Sequence, residues 1–579
     1  MPAISRRCLI LSLMLTLGIS AWATITAQSD PSGETPEPSD SSPSLEAGEP
    51  LAAAASLYPG FDGYARTVTT TSKEAQQWFN QGIQLLYGYN HDEAIRSFEK
   101  AAEIDPSCAM GWWGSAYARG LHINNPVMGE EQSRLAFQAA QKALLALDDE
   151  TPNEVALVRA VAQRYAWPAP QDRHPLDQAY ADAMEGAWHQ FPDDPDVGTL
   201  FAEALMNLQP WDLWTTKAAP KGRALEILGV LERTLAKIPQ HPGANHLYIH
   251  AIEASPWPEK GTAAADRLRN LVTGSGHLVH MPSHIYIRTG RYADAVEANE
   301  RAIQADETYF QFAPAPDFYS VYFLHNIHFL SYAAMMEGRY QDAMDAARKI
   351  DKQIPREFLK KNVTRVDGLM PTALHVLIRF GKWNEILSEA EPEEWQLFSG
   401  AEWHFARTIA MSALNKLPEA REQLRLFDLV ADQITDEWFV GNNPAKQVLE
   451  IARNMAAGEL AFREGDTEQA FKLLRQAVAQ EEELRYDEPP GWMQPVRHAL
   501  GALLLADNRP VEAEAVYEAD LLRHPENAWS LLGLQQSLGN QGRTELADAL
   551  SEKVHKAWGR ADVKPVASCY CHPDALLQK

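Results

Sequence analysis

Small, apolar and aromatic positions recur along this chain at fixed spacing. In residues 75–108 they are Trp78, Gly82, Ala94, Phe98, Ala101 and Pro106. The 12-residue step from Gly82 to Ala94 is repeated from Gly458 to Ala470 and from Gly501 to Ala513, and this last unit continues with Tyr517 and ends at Pro525. Looser copies pair Ser283 with Ala295, Ser331 with Ala343 and Thr408 with Ala420. A turn signature lies between the paired segments: Gly290-Arg291-Tyr292, Gly338-Arg339-Tyr340 and Gly381-Lys382-Trp383. The apolar residues follow a helical period, with no convincing strand alternation. A small residue facing an alanine lets two helices approach closely, and aromatics fill the space to the next pair. A single hairpin of this kind cannot bury its apolar face, so the units must stack. The pattern predicts an all-α fold, an α-solenoid of stacked antiparallel helical hairpins. Repeats are irregular over 51–275, where Trp167-Pro168-Ala169-Pro170 and Ser255-Pro256-Trp257-Pro258 interrupt them; they are more regular over 276–558, and 559–579 reads as a tail.

These residues are those of a tetratricopeptide repeat, and the chain resembles tetratricopeptide-repeat proteins over roughly 75–555. It also resembles a group of exported bacterial repeat proteins that share segments such as Asn245 to His250 and His280 to His284. The family resemblance implies a superhelix whose concave groove is lined by the first helix of each pair and binds a peptide or protein. It transfers no activity, since fold alone does not fix function.

The chain starts as an exported protein would. Arg6 and Arg7 precede an apolar run from Cys8 to Ile19, and Ala21-Trp22-Ala23 has the form of a cleavage site, so 1–27 reads as a signal peptide. Residues 28–50 are rich in Ser, Pro, Asp and Glu and read as a disordered acidic linker. With no later apolar run long enough to span a bilayer, the expected product has no stable membrane anchor after cleavage and is periplasmic or secreted. The formal charge of -26, from 78 acidic and 52 basic residues, argues against a nucleic-acid binder, which needs Lys and Arg to neutralise phosphates.

The chemistry lies in the histidines. Taking the small residue of each first helix as a local origin, His280 and His284 lie at -3 and +1 of Ser283, and His325 and His328 at -6 and -3 of Ser331. His375 lies at +1 of Leu374 when the glycine turns are aligned, and His246, His250 and Glu253 fit -3, +1 and +4 one hairpin earlier. These offsets share one helical stripe, which the resemblance places on the groove. His277 lies just before it. Imidazoles spaced i, i+4 are a recognised way to hold a metal, so the candidate ligands are His246, His250, Glu253, His280, His284, His325, His328 and His375. The expected cofactor is copper, iron or zinc. Glu253 is the candidate base if a metal-bound water lies within reach. Arg288 and Arg379 are candidates for a substrate carboxylate, with Tyr286, Tyr332 and Tyr248 as hydrogen-bonding partners. Three functions fit: a metal-holding groove that docks a peptide or protein, a metal-dependent hydrolytic or oxygen-dependent enzyme, or a metal-free scaffold.

Other features are read more plainly. His91 belongs to an interhelical turn, where capping accounts for it. Glu488-Pro489-Pro490-Gly491-Trp492 is a turn between repeats. The aromatic run from Met206 to Trp214 is mostly packing. Cys108, Cys569 and Cys571 leave open a disulfide between Cys108 and the tail, or ligation of a soft metal by the tail.

Overall fold

The computed structural model describes residues 55–313 and 318–572. The signal peptide and acidic linker read from the sequence lie outside the described residues. Among those residues the fold is an all-helical solenoid, with a single two-stranded antiparallel ribbon, Phe439–Val440 with Asn443–Pro444. None of the described helices is long and apolar enough to cross a membrane.

The repeat spacing has a direct physical meaning. Helix Lys73–Tyr87 packs on His91–Ile104, which packs on Ala109–Ala118. Phe98 is fully buried where the three meet. A Cβ at Gly82 would lie 2.8 Å from its ring and one at Gly114 2.3 Å, so both glycines are required for the ring to fit. Tyr517 repeats the device between Gly501 and Gly533, where added Cβ atoms would come within 2.4 and 2.1 Å. The serine variants bond across the same junction: Ser331 Oγ donates to the Ala343 carbonyl at 2.9 Å.

The turn signature is a helix stop. Gly290, Gly338 and Gly381 have φ of 76°, 74° and 63°. The next residue reaches back to an exposed carbonyl: Arg291 N–H to Tyr286 O at 2.8 Å, Arg339 to Ala334 at 3.0 Å and Lys382 to Leu377 at 2.9 Å. This left-handed glycine stop satisfies carbonyls that the helix end would otherwise leave bare. Both helices of the first hairpin are capped by side chains at their starts, with Ser72 accepting from Ala75 and Asn90 from Glu93.

The solenoid does not run open from end to end. Lys73–Tyr87 also packs on Pro242–Ile252, and Ser320–Glu337 packs on Ala528–Asn540, where Trp529 Nε1 donates to the Met335 carbonyl at 3.0 Å. Distant repeats are thereby brought around the middle of the chain. The C-terminal segment is part of this packing: Ser568 donates to the His498 carbonyl at 2.8 Å and pairs with the Tyr517 hydroxyl at 2.6 Å. The cysteines resolve differently from either sequence alternative. Cys569 and Cys571 are bonded to each other, and Cys108 is a buried free thiol. With both tail sulfurs in that bond, neither is a thiolate ligand.

Candidate metal centre

Two neighbouring first-helix segments build the centre. Pro242–Ile252 carries His246 and His250 one turn apart, with Glu253 capping its end. Gly276–His280 and Pro282–Arg288 form a nearly continuous helix carrying His277, His280 and His284. Ser320–Glu337 adds His325. Their side chains form two sets of three imidazoles, His246/His250/His277 and His280/His284/His325; within each, one ligand atom per residue lies within 4.8 Å of the others. His250, Glu253 and His284 make a third such set between them. Every member except half-buried His325 is buried.

Hydrogen bonds set which nitrogen His246, His250, His280 and His284 offer. A neutral imidazole has one N–H donor and one bare acceptor. His246 Nδ1 faces the Tyr87 carbonyl at 2.8 Å, so Nδ1 carries the proton and Nε2 is bare. His280 Nδ1 faces Asn299 Oδ1 at 2.7 Å. The Asn299 amide is oriented by its NH2, which donates to Ser283 Oγ at 2.9 Å and the Ala295 carbonyl at 2.7 Å. Glu253 spans the two sets: Oε1 lies 3.0 Å from His250 Nδ1, and Oε2 lies 2.5 Å from His284 Nδ1. With the carboxylate ionised, both rings donate through Nδ1 and keep Nε2 bare. A carboxylate or carbonyl behind a ligating imidazole is the usual support of a metal site.

The bare nitrogens converge. His280 Nε2 and His284 Nε2 are 2.8 Å apart. His246 Nε2 faces His277 Nε2 at 3.1 Å, and with His277 Nδ1 free of any partner the His277 ring can donate across that gap from Nε2. His250 Nε2 is buried without a partner. Burial first, then the neighbouring imidazoles, push His246, His277, His280 and His284 well below the ordinary histidine range. With both Nδ1 atoms protonated, the neutral rings of His280 and His284 face lone pair to lone pair and repel, unless a cation sits beside them. Tetrahedral nitrogens on bonds of about 2.0–2.1 Å lie roughly 3.3 Å apart, close to the observed spacings. Burial pushes Glu253 up, with the adjoining His250 opposing; a cation in either set favours its ionised form.

Several contributors come from segments that the sequence reading assigned elsewhere. Tyr89, just past the first repeat helix, has a left-handed φ of 55°. Its ring stacks on His122 at 4.3 Å and lies 4.6 Å from His246 and 5.5 Å from His277. His122 in turn is 4.5 Å from His91. The cap of His91–Ile104 is Asn90, so the side chain of His91 is turned to these rings rather than spent on capping. The turn from Glu488 to Trp492 brings Glu488 Oε1 to 3.6 Å from His284 Nδ1. Trp211, with φ of 58°, lies 5.3 Å from His250. Positive φ at Tyr89 and Trp211 leaves no signal in composition or periodicity.

The remaining candidates sit apart from these sets. His328 Nε2 is 3.3 Å from Met493 Sδ. His375 packs edge-on to Trp492 at 5.3 Å, with Nε2 3.8 Å from Glu402 Oε2. Tyr286 donates to Asp266 at 2.8 Å and stacks under Arg291, and Tyr248 donates to Glu232 at 3.0 Å. Tyr332 is buried in the core. Arg379 is buried against Trp529, and Arg288 lies over the ring of Tyr486.

Glu402 yields a stability prediction. Burial pushes its carboxyl up to about 8 from the 4.5 of an exposed glutamate. The folded protein keeps this proton where the unfolded chain has lost it, so stability falls as pH rises from about 4.5 through 8. Between pH 6.5 and 8 this group alone costs about 1–2 kcal/mol. Urea midpoints are expected to drop over that interval in wild type and to drop less in Glu402→Gln.

The tetratricopeptide repeat family model matches residues 90–108, the hairpin's second helix and its exit. The same hairpin recurs along the chain, with the glycine stops and buried aromatics described above. The chain is a tetratricopeptide-repeat protein. One relative of this repeat protein is the cellulose synthase operon protein C of Xanthomonas axonopodis pv. citri (strain 306), 34% identical over 155 residues. That match spans 26% of the chain and only 10% of the relative's length. Similar solved structures include a human IFIT1 dimer with m7Gppp-AAAA, at 14% identity and TM-score 0.30, covering 84% of this chain and 91% of that one. Yeast Tom70 follows at 11% identity and TM-score 0.26, covering 83% and 90%.

Proposed function

We propose that this tetratricopeptide-repeat protein is an exported metal-binding protein that holds two transition-metal ions, one in each three-histidine set. What carries the reading is the pair of bare nitrogens of His280 and His284, 2.8 Å apart and each fixed by a hydrogen bond behind the ring. Neutral imidazole suits copper, zinc and iron, and on affinity alone copper leads. Three protein ligands leave a coordination position open, as in catalytic rather than structural sites. The acidic solenoid around the centre is the docking surface for a peptide or protein partner, in keeping with the family.

The enzyme reading gains from a cavity of about 240 Å³ whose lining includes His250 and Glu253. It gives the first set a route for a small molecule. Glu253 holds the orientation of one ring in each set, so Glu253→Gln is expected to weaken metal binding by about 10–100-fold. Competition titration with a chromophoric chelator measures this. An affinity unchanged within about twofold would remove Glu253 from the centre.

Elemental analysis of protein purified without a histidine tag tests the reading as a whole. Two ions per chain are expected after copper or zinc reconstitution, and one in a His280→Ala, His284→Ala variant. No stoichiometric metal in either protein leaves a metal-free scaffold. A single ion lost in His250→Ala and His284→Ala alike assigns one central site on His250, Glu253 and His284.

A further inference from the structure

The cavity beside His250 has the features of a built ligand site. Its floor is His250 and Glu253, and its walls are Trp211, Trp214 and Met206. The loop that forms it is anchored, with Trp214 Nε1 donating to the Ala251 carbonyl at 2.8 Å. Trp211 is held at a φ of 58°, which a bulky residue adopts only when its surroundings impose it. Two lining groups carry buried polar atoms without a partner, His250 Nε2 and the Tyr486 hydroxyl.

The charge at the mouth is asymmetric. Lys221 and Asp212 line the cavity and pair with each other. Arg485 also lines it and is exposed, with no ion pair among the described residues. Its backbone is clamped at both ends by Asn443: Oδ1 accepts from Arg485 N–H at 2.8 Å, and Nδ2 donates to the Arg485 carbonyl at 3.2 Å. A free guanidinium on a fixed backbone at the rim of an aromatic-walled pocket suits a carboxylate. The size limits the rest of the ligand. A cavity of about 150 Å³ takes benzene, so 240 Å³ holds one ring with a short arm.

We infer that this cavity binds a single-ring carboxylate, its ring against Trp211 and Trp214, its carboxylate on Arg485 and its inner edge at His250. The same chemistry is offered by a free aryl acid and by the C-terminal residue of a peptide ending in an aromatic. The inference deepens the metal reading and rests on it only at the His250 floor.

Calorimetric titration of the full chain, metal-free and zinc-loaded, tests it with phenylacetate, phenylacetamide and the tripeptide Gly-Gly-Phe. Phenylacetate or the tripeptide is expected to bind at least about tenfold more tightly than the amide; which of the two binds better tells a free acid from a chain end. In Arg485→Gln the preference is expected to fall to about twofold or less, with an unchanged melting temperature because Arg485 is exposed. Trp211→Ala is expected to weaken acid and amide alike. Equal binding of acid and amide, no binding at millimolar ligand, or a preference that survives Arg485→Gln overturns the inference. A preference seen in protein that takes up no metal keeps the ligand site and removes the metal reading. Two bound ions without a preference do the reverse.

Discussion

Replacing His246 and His277 together by alanine is expected to leave one bound ion per chain in place of two. These residues supply two of the three nitrogens of the first set, and their Nε2 atoms face each other at 3.1 Å. Structural zinc sites with four ligands gain about 10–16 kcal/mol, so each ligand is worth roughly 3 kcal/mol, or about two orders of magnitude in affinity. Losing two places the first site beyond micromolar reach. The second set keeps its own support, because His280 is held by Asn299 and His284 by Glu253, and neither depends on the lost rings. Metal counts after dialysis against a weak chelator measure the outcome. Loss of both ions from this variant would mean that the sets are not independent, and retention of both would place the first ion elsewhere.

Phe98→Ala is expected to destabilise the first hairpins by about 3–5 kcal/mol. The ring is fully buried, and the two glycines flanking it have no side chain with which to fill the gap. In a solenoid, stability is local to a repeat and its neighbours. The loss should therefore appear as faster amide exchange in Lys73–Tyr87, His91–Ile104 and Ala109–Ala118, with the hairpins beyond 440 unaffected. It should also reach the metal. Tyr87 accepts from His246 through its carbonyl, and Tyr89 packs against three of the imidazoles of this region. Metal affinity at the first set is then expected to fall while the second holds. Uniformly raised exchange along the chain would contradict a stacked array with local stability.

The contrast between these two sites shows what the sequence makes legible. The packing of Phe98 and Tyr517 is written in local spacing, because a helix turns both partners onto one face and the 12-residue step returns the chain alongside itself. The helix stops at Gly290, Gly338 and Gly381 are equally local. The histidine stripe is legible to the same extent: offsets -3 and +1 place His246, His250, His280 and His284 on facing sides of adjoining helices, and they meet. The same offsets place His328 and His375 on the stripe, yet they sit against Met493 and Trp492 instead. A periodic offset specifies the face of a helix; how far along the coil that face still points at a common centre is set by the rotation between hairpins. Closure of the coil is less legible still. It brings His122, Tyr89 and Glu488 to the centre through contacts far apart in sequence, and Arg485 to the cavity rim, where the sequence offered Arg288 and Arg379 for that role.

Anomalous diffraction at the metal edge, from crystals of the copper- or zinc-loaded protein, is the most direct measurement. Two peaks are expected, one within about 2.0–2.2 Å of nitrogens from His246, His250 and His277, the other equally close to His280, His284 and His325. Metal-loaded crystals with no peak inside the coil, or with metal only on exposed side chains, would contradict the account.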